Sequence, residues 1–291
     1  MRRALVIAAL AGFLLAGVAP AWAAGPIQIL AAENFYGDLA QQIGGTHVAV
    51  TSILSNPDDD PHLFESSAST ARTIATADIV IYNGVDYDPW MDKLLSASSA
   101  PSRTAIVAAD LTGKKSGDNP HLWYDPQTLP DVAAALAMEL EKRDPANAMA
   151  YSANLQKFIA AFSEALKGIA AIKTTYQGTP VTATEPVFGY MAEAMGLKML
   201  NESFQIATMN DTEPSPSDVA GFEDSLRNGG VKILFYNSQV TDDTTTRLLD
   251  LAKANKVPVI GVTETEPAGK TIETWFSGQI ADVASALAGH S

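Results

Sequence analysis

The chain has 291 residues, 47% of them hydrophobic and 18% charged, with 20 Gly, 16 Pro and no Cys. Nineteen Lys and Arg stand against 33 Asp and Glu, a net charge of −14. So acidic a chain lacks the basic footprint that nucleic acid or an anionic membrane requires. The absence of Cys excludes a disulfide scaffold, Cys-ligated zinc, an iron–sulfur cluster, a thiol nucleophile and a lipidated cysteine.

Arg2 and Arg3 precede an apolar run from Ala4 to Ala19, and Ala21-Trp22-Ala23 follows as a small-x-small cleavage pattern. Residues 1–23 are therefore expected to be a Sec-type signal peptide, cut after Ala23. No later stretch is long and apolar enough to span a bilayer. A soluble, monomeric export resident in the periplasm is expected.

Strand-like and helix-like segments then alternate. Ile27–Ala31, Val48–Leu54, Ile79–Tyr82 and Ala105–Ala108 read as strands, and Phe35–Ile43, Ser67–Ala77, Trp90–Leu95 and Leu129–Lys142 as helices. This rhythm means a parallel sheet covered on both faces. From Ala146 to Tyr176 it stops. Tyr151, Leu155, Phe158, Ile159, Phe162, Leu166 and Ile169 follow helical spacing, interrupted only at Gly168. A single helix of that length would reach roughly 45 Å and strut two lobes apart; two helices kinked near Gly168 are the alternative. Alternation resumes with strands at Val181–Thr184, Lys198–Leu200, Val231–Tyr236 and Val257–Val262. Helices are expected at Phe188–Met195, Val219–Leu226, Thr245–Lys253 and Ile272–Leu287. The expected fold is α/β: two (βα)4-type lobes with parallel sheets, residues 24–145 and 177–291, joined by a long rigid linker helix at 146–176.

Four histidines are present: His47, His62, His121 and His290. His47 opens a strand and reads as a surface imidazole, and His290 is next to last. The other two share a context, Asp60-Pro61-His62-Leu63 and Asn119-Pro120-His121-Leu122. Each follows a stiffening Pro where a strand has ended, the edge at which parallel sheets place ligands. Glu185 and Glu264 stand at strand ends of the second lobe. Two imidazoles and two carboxylates make a four-ligand set for a divalent metal. With separations of 59, 64 and 79 positions, only a site between lobes unites them. Each alone has a plainer reading, as a solvated or helix-capping side chain. Glu266 competes with Glu264. Asp58, Asp59 and Asp60 read as a solvated loop, the alternative being a carboxylate run that recruits cations to the cleft mouth, and Ser217 reads as a helix cap. Trp123, Phe188 and Tyr190 are expected to wall the site, and Asn237 and Gln239 either support the ligands or satisfy local backbone.

Asp60-Pro61-His62-Leu63-Phe64-Glu65, the segment Asn119 to Pro126, Glu185-Pro186-Val187-Phe188-Gly189-Tyr190, and Gly261-Val262-Thr263-Glu264-Thr265 with the later Trp275 occur in this order. Together they resemble the signature segments of the metal-binding substrate-binding proteins of ABC transporters, the zinc/manganese group (cluster A-I). The resemblance covers essentially the whole chain beyond residue 23. It implies metal ligands at His62, His121, Glu185 and Glu264, where the family's third ligand is His or Glu and its fourth is commonly Asp. It also implies Mn2+ or Zn2+ as transported cargo, a permease of the inner membrane as partner, no enzymatic activity, and release by small local shifts. The His-rich loop of dedicated zinc members has no counterpart in Asp110–Pro120. Of the other classes, a metal-dependent hydrolase needs an open coordination position, which four protein ligands leave no room for. An organic-anion binder needs a guanidinium clamp, and none of Arg72, Arg103, Arg143, Arg227 and Arg247 lies in these segments. An adhesin-like interaction protein would need no metal.

Overall fold

A computed structural model describes residues 25–56, 61, 64–98 and 100–289. The signal segment, Asp58 to Asp60, His62 and His290 lie outside the described residues. The N-terminal lobe runs β1 (Ile27–Glu33), α1 (Asn34–Gly44), β2 (Val48–Leu54), α2 (Ala68–Thr76), β3 (Ile79–Tyr82), α3 (Pro89–Ala97), β4 (Thr104–Val107), α4 (Ala108–Thr112) and α5 (Thr128–Arg143). The connection holds α6 (Ala148–Ala165) and α7 (Gly168–Tyr176). The C-terminal lobe follows with β5 (Pro180–Ala183), α8 (Gly189–Ala194), β6 (Lys198–Leu200), α9 (Glu202–Met209), α10 (Pro216–Arg227), β7 (Leu234–Asn237), α11 (Asp243–Ala254), β8 (Val259–Val262) and α12 (Ile272–Leu287).

Each lobe has a four-stranded, wholly parallel sheet, ordered β2-β1-β3-β4 and β6-β5-β7-β8. The central strands are apolar runs because both their faces are covered; all four residues of β3, Ile79 to Tyr82, are buried. In both sheets the chain reverses direction beside the first strand, between β1 and β3 and between β5 and β7. Loops leaving these neighbours part company, and the crevice they leave is where open α/β sheets bind ligands. Glu33 and Asn83 flank the crevice of the first lobe, and Glu185 and Asn237 that of the second.

Caps set several helix starts. Ser67 and Thr70 form a reciprocal box at α2, as do Asp242 and Thr245 at α11 and Thr271 and Thr274 at α12. Helix α10 begins earlier than its apolar pattern, with Ser215 rather than Ser217 as cap and Pro216 at its first position. Helix α9 has no counterpart among the expected elements.

The connection is helical throughout but not one straight strut. It breaks at Leu166-Lys167, where Lys167 N–H bonds the Glu164 carbonyl and Ile169 N–H the Leu166 carbonyl, a tightened turn. Packing beside the break calls for a glycine. Gly168 rests on α12, and a Cβ there would stand 2.5 Å from Ile280 Cγ2.

One hydrophobic core runs through both lobes. Phe35 of α1 meets Trp123 (centroids 4.8 Å) and Trp275 of α12 (6.2 Å), and Tyr124 meets Trp275 (5.6 Å), Phe276 (5.5 Å) and Phe188 (5.2 Å). Phe162 of α6 closes on Phe276 at 5.4 Å, so the linker belongs to the same core. Smaller apolar clusters lie on the outer face of each sheet.

Candidate metal centre

The carboxyl edges of the two sheets meet across a seam, and His121, Glu185 and Glu264 lie there, each at most 1% exposed. His121 follows Pro120 and starts a short 3-10 turn, Leu122–Tyr124. Asn119 orients its ring. The Asn119 amide nitrogen donates to the Pro186 carbonyl at 2.8 Å, which turns Asn119 Oδ1 towards His121 Nδ1 at 2.7 Å. An amide oxygen only accepts, so Nδ1 donates to it and Nε2 is the ring nitrogen turned to the seam. That Nε2 faces Glu264 Oε2 at 3.4 Å. Trp123 stands edge-on to the imidazole, centroids 5.3 Å apart.

Glu185 is extended, just beyond β5. Asn237, the last residue of β7, donates from Nδ2 both to Glu185 Oε2 and to Glu264 Oε1, the latter at 2.7 Å. Gln239 Oε1 accepts from Glu264 N–H at 2.5 Å, and its Nε2 donates to Thr265 Oγ1 at 3.1 Å. Tyr87 O–H reaches across from the first lobe to Glu264 Oε2 at 3.0 Å. Asn237 thus holds both carboxylates, and Gln239 fixes the backbone of the loop that carries Glu264. Phe188 and Tyr190 bound the site less directly, Phe188 through Tyr124 and Tyr190 by donating its O–H to the Asn119 carbonyl at 2.9 Å.

Glu266 goes elsewhere. Asn34 grips its backbone twice, donating to the carbonyl and accepting from the N–H, each at 2.8 Å. Burial, then the charges of Asp38 and Glu273, raise its carboxyl to about 8. Of the two competing glutamates, Glu264 is the one beside His121. His47 lies partly buried at the end of a 3-10 turn, its ring edge-on to Tyr151 at 5.7 Å, away from this seam.

Among the described residues no three His, Asp or Glu side chains close tightly enough to enclose an ion. The Asn237 amide stands between the two carboxylates. Two buried carboxyl groups and an imidazole nonetheless offer oxygen and nitrogen donors of the kind a divalent cation takes. A cleft of about 850 Å³ runs beside this set along Asn119, Pro120, Pro186 and Tyr190 without including it.

Sequence reasoning missed Tyr87, Asn34, Glu33 and Asp88. The only sequence signal for them was position, each lying within a few residues of the end of β1 or β3.

Residues 29–286 match the model of the family described as zinc-uptake complex component A, periplasmic. The chain belongs to that family. It is 25% identical over 238 residues to the manganese-binding lipoprotein MntA of Bacillus subtilis, covering 78% of this chain and 76% of that protein. It is also 25% identical over 242 residues to the high-affinity zinc uptake system protein ZnuA of Paracoccus denitrificans, covering 68% and 72%. The solved periplasmic zinc-binding protein TroA of Treponema pallidum superposes with a TM-score of 0.75 at 18% identity, over 92% of this chain and 100% of that one. The chain therefore shares the fold of that solved protein over 92% of its length.

Proposed function

We propose that this protein captures a divalent transition metal, Mn2+ or Zn2+, between its lobes and hands it to an ABC permease of the inner membrane. The observation that carries the reading is the convergence of His121, Glu185 and Glu264, from two lobes, on one buried seam. The family match and relatives named for manganese and for zinc support it. His62 is the fourth ligand in this reading, resting on its Asp-Pro-His-Leu segment. No helix among the described residues is long and apolar enough to cross a membrane, and residues 1–23 act as the signal that takes the chain to the periplasm. Residues 24–145 and 177–291 are the two lobes and 146–176 the linker, and the protein works as a monomer without enzymatic activity.

Metal choice follows the donor set. Two imidazoles with two carboxylates, either able to chelate through both oxygens, suit manganese better than a nitrogen-rich tetrahedral site would, while intrinsic affinity favours zinc. Calorimetric titration of Mn2+ and Zn2+ into wild type, His62→Ala and His121→Ala tests the site. One ion per chain in wild type and loss of tight binding in both variants is the expected result. Unchanged affinity in either variant removes that histidine from the ligand set.

A further inference from the structure

We infer that Glu33 and Asp88 hold one proton between them at the edge of the cargo site and release it when a divalent cation is loaded. The inference rests on the metal-capture reading and concerns the regulation of that same site.

Both carboxyls stand at the crevice of the first lobe, Glu33 closing β1 and Asp88 lying shortly beyond β3. They are 0% and 1% exposed. Asp88 is fixed as an acceptor: its Oδ2 takes the Asn83 N–H at 2.6 Å and its Oδ1 the Gly84 N–H at 2.8 Å. No donor from another described residue meets either oxygen of Glu33, and only its own backbone N–H favours the ionised form. What lies within hydrogen-bonding reach of it is the Asp88 carboxyl. Two carboxylates offer each other only acceptors, and two negative charges in contact inside a dry core do not both persist. A proton on Glu33 turns the clash into an O–H···O bond.

The surroundings favour that proton. Burial, then the charge of Asp88, hold Glu33 well above the usual carboxylate range. Burial lifts Asp88 to about 7 against the pull of its backbone donors. Among the described residues the titratable groups facing the pair are Tyr36 of α1, Tyr87, and Asp92 of α3 with its hydrogen-bonded partner Tyr82 of β3. None of these is a cation.

The pair communicates with the seam through two residues. Tyr87 lies in the field of Glu33 and Asp88, and its hydroxyl ends on Glu264. Asn83 takes the Tyr36 hydroxyl on its Oδ1 and donates from Nδ2 to the Pro120 carbonyl at 2.7 Å, directly behind His121. A doubly charged ion beside His121 and Glu264 therefore acts on the pair across one tyrosine, through a medium that screens poorly. Positive charge favours the ionised form of a carboxyl. Loading expels the proton, and by linkage added protons weaken loading.

The test titrates Mn2+ into the full-length mature protein between about pH 6 and pH 8, in buffers of different ionisation enthalpy, and counts protons released per ion. Glu33→Gln is the comparison, because its amide donates to Asp88 as the acid does but cannot ionise. The variant should release up to about one proton fewer, flattening the pH dependence of affinity by up to about tenfold per pH unit. Wild type should also lose a protonated-carboxyl stretch from its infrared difference spectrum on adding Mn2+, and Glu33→Gln should not. That spectrum keeps the test alive if Glu33→Gln does not fold. Equal proton counts with Mn2+ bound by both proteins, or no carboxyl band lost by wild type, overturn the inference. Failure of wild type to bind Mn2+ or Zn2+ overturns the capture reading instead.

Discussion

At the scale of single residues, Glu185 and Glu264 are not equivalent. Glu264 is held from three sides, by Tyr87, Asn237 and Gln239, and so presents one geometry. Glu185 stands where many zinc members of the resembled family carry His. Exchanging an imidazole for a carboxylate hardens the donor set and allows two-oxygen chelation. Glu185→His should therefore raise the zinc-to-manganese affinity ratio tenfold or more, about 1.4 kcal/mol, read by competition between the two ions. An unaltered ratio would mean that Glu185 does not touch the metal. Glu264→Ala should weaken both ions, since it removes a charge and admits water. Glu266→Ala should leave both affinities within a few-fold, because its carboxyl faces Asp38 and Glu273 instead. The reverse outcome in calorimetry would move this carboxylate ligand from Glu264 to Glu266.

Among the elements, the join of α6 and α7 shows what sequence carries and what it does not. Leu166 and Lys167 are good helix formers, and the one local signal is Gly168, where the alternative of two kinked helices put the join. What only the fold supplies is Ile280, more than a hundred residues away, pressed against Gly168. Gly168→Ala would ordinarily stabilise a helix by up to about 1 kcal/mol. Here the overpacking should win and cost about 1–3 kcal/mol in urea unfolding, and the penalty should shrink in an Ile280→Ala background, as a double-mutant cycle would show. The strands were legible as short apolar or β-branched runs between turn residues, and β2, β3 and β6 fall where the pattern put them, although of these only β3 is buried along its whole length. Helix α9 was not, since it follows Asn201 in a left-handed conformation and buries only Phe204, Gln205 and Thr208. Of the site, the residues that end strands could be read. Tyr87 could not, because the partner that gives it meaning lies 177 residues away. It also sits behind three successive left-handed residues, Gly84, Val85 and Asp86. A β-branched Val at positive φ is a strained choice of about 1–3 kcal/mol that no local pattern would favour.

For the whole molecule, the decisive feature is the aromatic chain from Phe35 through Trp275 and Phe276 to Phe162, which belongs to neither lobe alone. Half of a core has no stable surface to present to water, since truncating one such buried ring costs about 3–5 kcal/mol and separating the lobes would expose several at once. Heat should therefore melt the protein in one step: a single calorimetric endotherm, with calorimetric and van't Hoff enthalpies equal, both with and without bound ion. Two resolved transitions would mean that the halves are independent. A bound ion should lift that one transition as a whole, by about 4 kcal/mol of added stability at a free concentration a thousand times its dissociation constant. It follows that a protease meeting the chain in the envelope finds an all-or-none substrate. Neither half can be clipped free and survive, and a cell short of metal holds a pool of receptors measurably easier to digest than one that is replete.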